Sequence, residues 1–299
     1  MKRRFIWALA VMMAALLTGL TAPALAEQSD GGAEYAVITI PGSLGDLYGE
    51  LRLPEGDGPV PLVVMCHGFG SSHLYQTDYA RYFVSQGLAT FSFDFCGGGL
   101  NSFSDGTMLE MSVLTEAQDL GAIIDHFRDD ARFSSIMLWG ESQGGYVSAY
   151  TAAQRPDDIA ALVLEYPAFV LEDDAHRRAA PDGSFAETDT LLGMRIGRRY
   201  SEDLVSIDIY GVIGAYRGDV LIVHGNADTL VDISYSRRAY DAYRAAAETA
   251  LQAGEIAAMP RIAFHEVDGA GHIFTRPKHN QDAVQAVTAF LADRSGKPS

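Results

Sequence analysis

The sequence is poor in cysteine and in basic residues, and it lacks repeats. Two cysteines in 299 residues, Cys66 and Cys96, are too few for a disulfide-stapled scaffold or a four-cysteine zinc site. No His-Glu-x-x-His spacing offers another metal cluster, so neither a metal nor a cofactor is expected. Only 22 basic residues stand against 39 acidic ones, a formal net charge of −17. A surface this acidic repels phosphates, so neither nucleic acid nor an anionic membrane is an expected partner. There is no internal repeat or long low-complexity tract. Glycine (30) and proline (11) are at ordinary usage, which sets aside collagen-like and disordered compositions.

What is present suffices for one sizeable domain, since 48% of the chain is hydrophobic. Residues 1–26 stand apart. Lys2, Arg3 and Arg4 precede an apolar run from Phe5 to Leu20, and Ala24-Leu25-Ala26 supplies small residues at cleavage positions. This pattern predicts a secretory signal peptide cut before Glu27, and hence an extracytoplasmic protein, secreted or periplasmic. An uncleaved membrane anchor is the alternative, which Gly19 and Pro23 disfavour. Loss of the three leader cations would move the formal charge from −17 to −20. Cys66 and Cys96 fall at the ends of two predicted strands and read as buried free thiols, with a bridge as the alternative.

Along residues 27–299, Tyr35–Ile40 and Leu47–Leu53 alternate like half-exposed strands. Leu62–Cys66, Ala89–Phe95, Ser135–Trp139, Ala161–Glu165, Asp219–Val223 and Arg261–Val267 read as further strands, the first two as short apolar runs covered on both faces. Between them Tyr75–Ser85, Val113–Phe127, Tyr146–Ala153 and Asp282–Ala292 carry helical signals, with an apolar stripe in the second and last. Such alternation builds a mostly parallel sheet, here of eight strands, with helices on both faces. Residues 168–218 break the rhythm. A connection of about fifty residues is usually functional, and Leu191, Leu192, Met194, Ile196, Tyr200, Leu204, Ile207 and Ile209 give it apolar surface to pack. It is expected to be a small inserted cap.

Gly140-Glu141-Ser142-Gln143-Gly144 lies between a predicted strand and a predicted helix. A serine at so tight a strand-to-helix turn is lifted above the sheet edge, and small residues two positions before and after it are required. The five-residue pattern alone would arise by chance in roughly one chain of this length in five, so the strand–turn–helix context carries the weight. A serine nucleophile needs a base, and the base an orienting acid. Asp228 follows the strand ending at Val223, and His272 follows the strand ending at Val267. The order Ser142, Asp228, His272 is the one this arrangement demands. After the strand ending at Cys66, His67-Gly68-Phe69-Gly70 supplies glycine-flanked amides, and Phe69 and Gln143 are the candidate backbone donors of an oxyanion hole. His67, His224 and Asp94 read as structural, Asp232 as a helix cap rather than a rival acid, and Glu141 as the variable residue of the turn.

His67-Gly68-Phe69, Phe93-Asp94-Phe95, Gly140 to Gly145, His224-Gly225-Asn226-Ala227-Asp228 and Gly271-His272 together resemble the cinnamoyl/feruloyl esterase branch of the α/β-hydrolases. That branch shades into serine aminopeptidase-like and monoglyceride lipase-like hydrolases. The resemblance spans roughly Pro59 to Leu291. It implies an α/β-hydrolase fold and a cofactor-free serine esterase acting on small hydroxycinnamate or other short acyl esters. Two departures concern substrate preference: Cys96-Gly97-Gly98-Gly99, where relatives more often carry a polar residue and Gly-His-Gly, and an alanine-rich stretch near Arg244–Pro260. A peptidase with the same triad is the nearest rival. A non-catalytic binding protein on the same scaffold is the rival from another class.

Overall fold

The protein is described here by a computed structural model that covers residues 34–292, so the predicted signal peptide lies outside the described residues. The strands are β1 (Glu34–Pro41), β2 (Asp46–Leu53), β3 (Val60–Cys66), β4 (Ala89–Phe93), β5 (Phe133–Glu141), β6 (Ile159–Glu165), β7 (Thr188–Leu191), β8 (Met194–Gly197), β9 (Asp219–Gly225) and β10 (Ile262–Val267). Eight of them form one sheet in the order β1-β2-β4-β3-β5-β6-β9-β10. The β1/β2 and β2/β4 pairs are antiparallel, and every other pair is parallel. The parallel strands therefore end together, and their carboxyl edge gathers the loops in which chemistry was expected.

Among the described residues eight α-helices accompany the sheet: α1 (Thr77–Ser85), α2 (Val113–Phe127), α3 (Gln143–Gln154), α4 (Leu171–Arg178), α5 (Arg198–Val205), α6 (Ile209–Val212), α7 (Ile233–Gln252) and α8 (Pro277–Ala292). The two-residue period of a strand divides β3 between two cores. Leu62 and Val64 join a cluster with Leu120 and Ile123 of α2, Val147 of α3 and Tyr243 of α7. Val63 and Met65 face the other way, towards Phe83 of α1, Trp139 of β5 and Val287 of α8. Burial on both faces is why the central strands read as unbroken apolar runs.

Residues 168–218 are ordered into α4, the antiparallel β7–β8 hairpin, α5 and α6. Ile196, Tyr200, Leu204 and Ile209 are fully buried in the first core cluster, which makes the insertion an extension of the core and not a tether. Within the alanine-rich stretch, Arg244–Gln252 forms the last turns of α7, as alanine's helix propensity favours. The two cysteines are free and buried, and burial pushes both thiols up to about 12.

Glycine is demanded where β5 turns into α3. A Cβ on Gly140 would lie 2.4 Å from the Gly144 carbonyl oxygen, and one on Gly144 would lie 2.2 Å from the Cys66 carbonyl oxygen. Alanine normally gains about 1 kcal/mol over glycine inside a helix. Here it meets backbone that cannot step aside, a strain of about 1–3 kcal/mol. Strain should win. Gly144→Ala is expected to lower the thermal midpoint by about 2–6 °C, read by circular dichroism, whereas a raised midpoint would show that the turn tolerates a side chain.

Candidate active site

Ser142 caps the N-terminus of α3 with φ 50° and ψ −115°, the left-handed side of conformational space. Its amide donates to the Glu165 carbonyl (3.0 Å), and its carbonyl accepts from Tyr146 (3.1 Å) and Ala168 (2.9 Å). The backbone is thus engaged while the hydroxyl is left to other partners. Ser142 Oγ lies 2.9 Å from His272 Nε2. His272 Nδ1 lies 2.8 Å from Asp228 Oδ2. Three residues from separate loops meet in one hydrogen-bonded line.

The tautomer follows from the acceptors. The Asp228 side chain is fully buried, which by itself would raise its pKa, but hydrogen bonds from His224 and His272 and the proximity of His272 hold it well below the usual carboxylate range. Its other oxygen accepts the Leu230 and Val231 amides at 2.8 and 3.0 Å. An ionised carboxylate only accepts, so His272 Nδ1 carries the proton and Nε2 is bare towards the serine hydroxyl. The loops that bring acid and base together are tied to each other. Gly269 N donates to Asn226 Oδ1 (2.8 Å) and Ala227 N donates to the Ala270 carbonyl (2.9 Å). Tyr166, itself at φ 38°, sets its ring 4.9 Å from the His272 imidazole.

The loop after β3 runs beside the serine: a Cβ on Gly68 would sit 3.2 Å from Ser142 Cβ. His67 braces this loop, as its position predicted. Phe95 N donates to His67 Nε2 (3.0 Å), so Nδ1 carries the hydrogen and donates to the Gly68 carbonyl (2.8 Å). Burial depresses the His67 pKa, which suits that neutral form. The Gly70 and Ser71 amides are engaged by the Gly98 and Gly68 carbonyls. The strand-end glycines have a reason as well, because a Cβ on Gly99 would fall 1.9 Å from the Ser71 carbonyl oxygen. Phe69 thus sits on a clamped loop, and Gln143 opens α3, whose first-turn amides have no intrahelical acceptor.

With the fold and this cluster in view, known proteins can be compared. A family model described as "Serine aminopeptidase, S33" matches residues 57–195. The structure resembles ferulic-acid-bound Est1E from Butyrivibrio proteoclasticus, with a TM-score of 0.72 at 22% identity over 87% of this chain and 100% of that one. By fold the chain is an α/β-hydrolase. An esterase of Pyrococcus furiosus is similar at TM-score 0.63 and 19% identity, covering 91% of this chain and 98% of that one. Among curated sequences, Esterase FrsA of Salmonella typhi is 28% identical over 216 residues, 64% of this chain and 50% of its own length. The chain spans about half the length of the curated relatives it matches.

Several residues of this chain do more than their sequence context suggested. His224, read as a packing residue, places Nε2 3.0 Å from both Asp228 Oδ2 and the Val231 carbonyl, and Nδ1 2.7 Å from Ser236 Oγ. It steadies the acid. Glu141 is not merely variable, since its carboxyl accepts from Tyr166 OH (2.6 Å) and Gln76 Nε2 (3.0 Å) and is pushed up in pKa by burial. Asp94 holds its loop through the His73 and Phe103 amides, and Asp232 caps α7 through Ser234 N, both as expected. Glu116, which no motif marks, accepts from Gln143 Nε2 at 2.8 Å and is pushed up to about 8 by burial.

That last shift has a measurable sign. An unfolded glutamate ionises near pH 4.3, so between about pH 4.3 and 8 the folded chain keeps a proton that the unfolded chain has lost, and stability falls as pH rises. Glu116→Gln removes this slope while keeping an acceptor for Gln143. The variant's thermal midpoint should gain on the wild type steadily from about pH 5 to about pH 8. A constant difference across that range would contradict a buried neutral carboxyl.

Proposed function

We propose that this α/β-hydrolase is a serine esterase that cleaves carboxylic esters through an acyl-enzyme on Ser142. The observation that carries the reading is the unbroken Ser142–His272–Asp228 line, with contacts of 2.9 and 2.8 Å. In this mechanism the bare Nε2 of His272 takes the hydroxyl proton as Ser142 Oγ bonds to the ester carbonyl carbon. Asp228 stabilises the resulting imidazolium without taking its proton. The carbonyl electrons move to oxygen, which the Phe69 and Gln143 amides receive, and one such donor is worth about 2.7–4 kcal/mol of barrier. Collapse expels the alcohol, which takes the proton back from His272. Water then repeats both steps and releases the acid.

For substrate we propose a small ester with a hydroxycinnamate or other short acyl group, in keeping with the ferulic acid bound to the similar Est1E. We further place the enzyme outside the cytoplasm, on the strength of the leader in residues 1–26. The serine aminopeptidase description of the matching family model favours a second reading, an amide or peptide substrate for the same triad.

Purified protein should hydrolyse p-nitrophenyl acetate and methyl ferulate faster than amino-acid p-nitroanilides, and the opposite ranking would favour the peptidase. Ser142→Ala should remove all turnover above background and leave the circular-dichroism spectrum intact; retained hydrolysis would eliminate Ser142 as nucleophile. Because a protonated His272 cannot act as base, the wild-type rate should fall on acidification. A rate indifferent to acid would count against general-base catalysis.

A further inference from the structure

The side chain that follows the nucleophile is anchored from both sides. Gln143 is 1% exposed and has its amide group stretched between two elements. Its Nε2 donates to Glu116 of α2 at 2.8 Å, and its Oε1 accepts from the hydroxyl of Tyr200 at 2.6 Å. Tyr200 belongs to α5 in the inserted segment and is fully buried. Its ring also packs edge-on against Phe69, with centroids 5.9 Å apart and planes at 63°. One residue of the insertion therefore touches both residues whose amides were assigned to the oxyanion hole.

We infer that Tyr200 is a positioning residue through which the inserted segment sets the geometry of the oxyanion hole, by its hydrogen bond to Gln143 and its ring contact with Phe69. The inference rests on the reading of Ser142 as nucleophile and of the Phe69 and Gln143 amides as oxyanion donors. The mechanism is mechanical. Gln143 is the first residue of α3, and its backbone amide turns with its own Cα, so a side chain fixed at both ends fixes the direction of the N–H. Phe69 lies on a loop already held by His67 and Gly98, and the Tyr200 ring packs against its side chain. Arg178 of α4 holds the tyrosine in turn, with its guanidinium 5.7 Å from the ring centroid and its Nε donating to neighbouring Ser201 Oγ at 3.0 Å. Preorganised donors are worth most when they need not move as charge develops, and small misplacements can cost about a hundredfold in rate. Tyr200 thus bears on the transition state and not on ground-state binding.

Tyr200→Phe cuts the hydrogen bond and keeps the ring. Gln143→Met cuts the same bond from the other end, together with the bond to Glu116, and keeps the backbone amide. With p-nitrophenyl acetate, each should lower kcat by about tenfold or more at nearly unchanged KM. Each should weaken inhibition by an alkylboronic acid, a mimic of the tetrahedral adduct, in proportion to the loss in kcat/KM. Because Gln143→Met already lacks the bond to Tyr200, the double variant should be no slower than Gln143→Met. Tyr210→Phe, another tyrosine of the insertion whose hydroxyl donates to the Tyr235 carbonyl at 3.1 Å, serves as the control and should keep wild-type kcat. A wild-type kcat and boronate affinity in Tyr200→Phe would overturn the inference, as would a rise in KM at constant kcat or multiplicative losses in the double variant. If Tyr200→Phe fails to fold, Gln143→Met decides by the same readouts when compared with Glu116→Leu, which removes only the other bond of Gln143. An active wild type with an indifferent Tyr200→Phe sinks only this inference, whereas a wild type without Ser142-dependent hydrolysis sinks the functional reading and this inference with it.

Discussion

Everything at the candidate site depends on holding Ser142 in a backbone conformation that a non-glycine residue adopts at a cost of about 1–3 kcal/mol. At φ 50° the chain can leave β5 and enter α3 without an intervening loop, and the side chain is lifted off the sheet edge. The surroundings keep it there. Glu165 accepts its amide, Tyr146 and Ala168 bond its carbonyl, and Gly140 and Gly144 allow backbone to approach where any Cβ would collide. Release of that turn would restore ordinary geometry and lose the alignment of hydroxyl, imidazole and first-turn amides together. Strain and function are here the same constraint.

Around this point the protein assembles two kinds of polar interior. Asp228 is kept ionised by four donors, which gives His272 a fixed tautomer and a charge to lean on. Glu116, Glu141 and Glu165 are the reverse case, carboxyls whose pKa burial raises. Glu141 and Glu165 are register neighbours on β5 and β6 beside the serine turn, and the charge of Glu141 adds to burial in raising Glu165.

Much of this was legible in the sequence, and the division has a physical cause. All eight strands of the main sheet were visible as short apolar or alternating runs, because burial on one or two faces dictates composition residue by residue. Ser142, Asp228 and His272 were legible because strand ends are readable and the fold fixes their order along the chain. What escaped notice was every partner defined by contact alone. Tyr200 lies 57 residues from Gln143 and Glu116 lies 27 from it, and no periodicity marks either. His224 looked like a packing residue because a buried histidine and a histidine bonded to Asp228 have the same neighbours in sequence.

The account's central claim is that Ser142 is made nucleophilic by His272. A fluorophosphonate probe tests it most directly, since it reacts with an activated serine without requiring the natural substrate. Labelling followed by peptide mass spectrometry should place a single adduct on Ser142 in the wild type, and His272→Ala should slow its formation by orders of magnitude while leaving the fold intact. An adduct on another residue, none at all, or undiminished labelling in His272→Ala would contradict the claim.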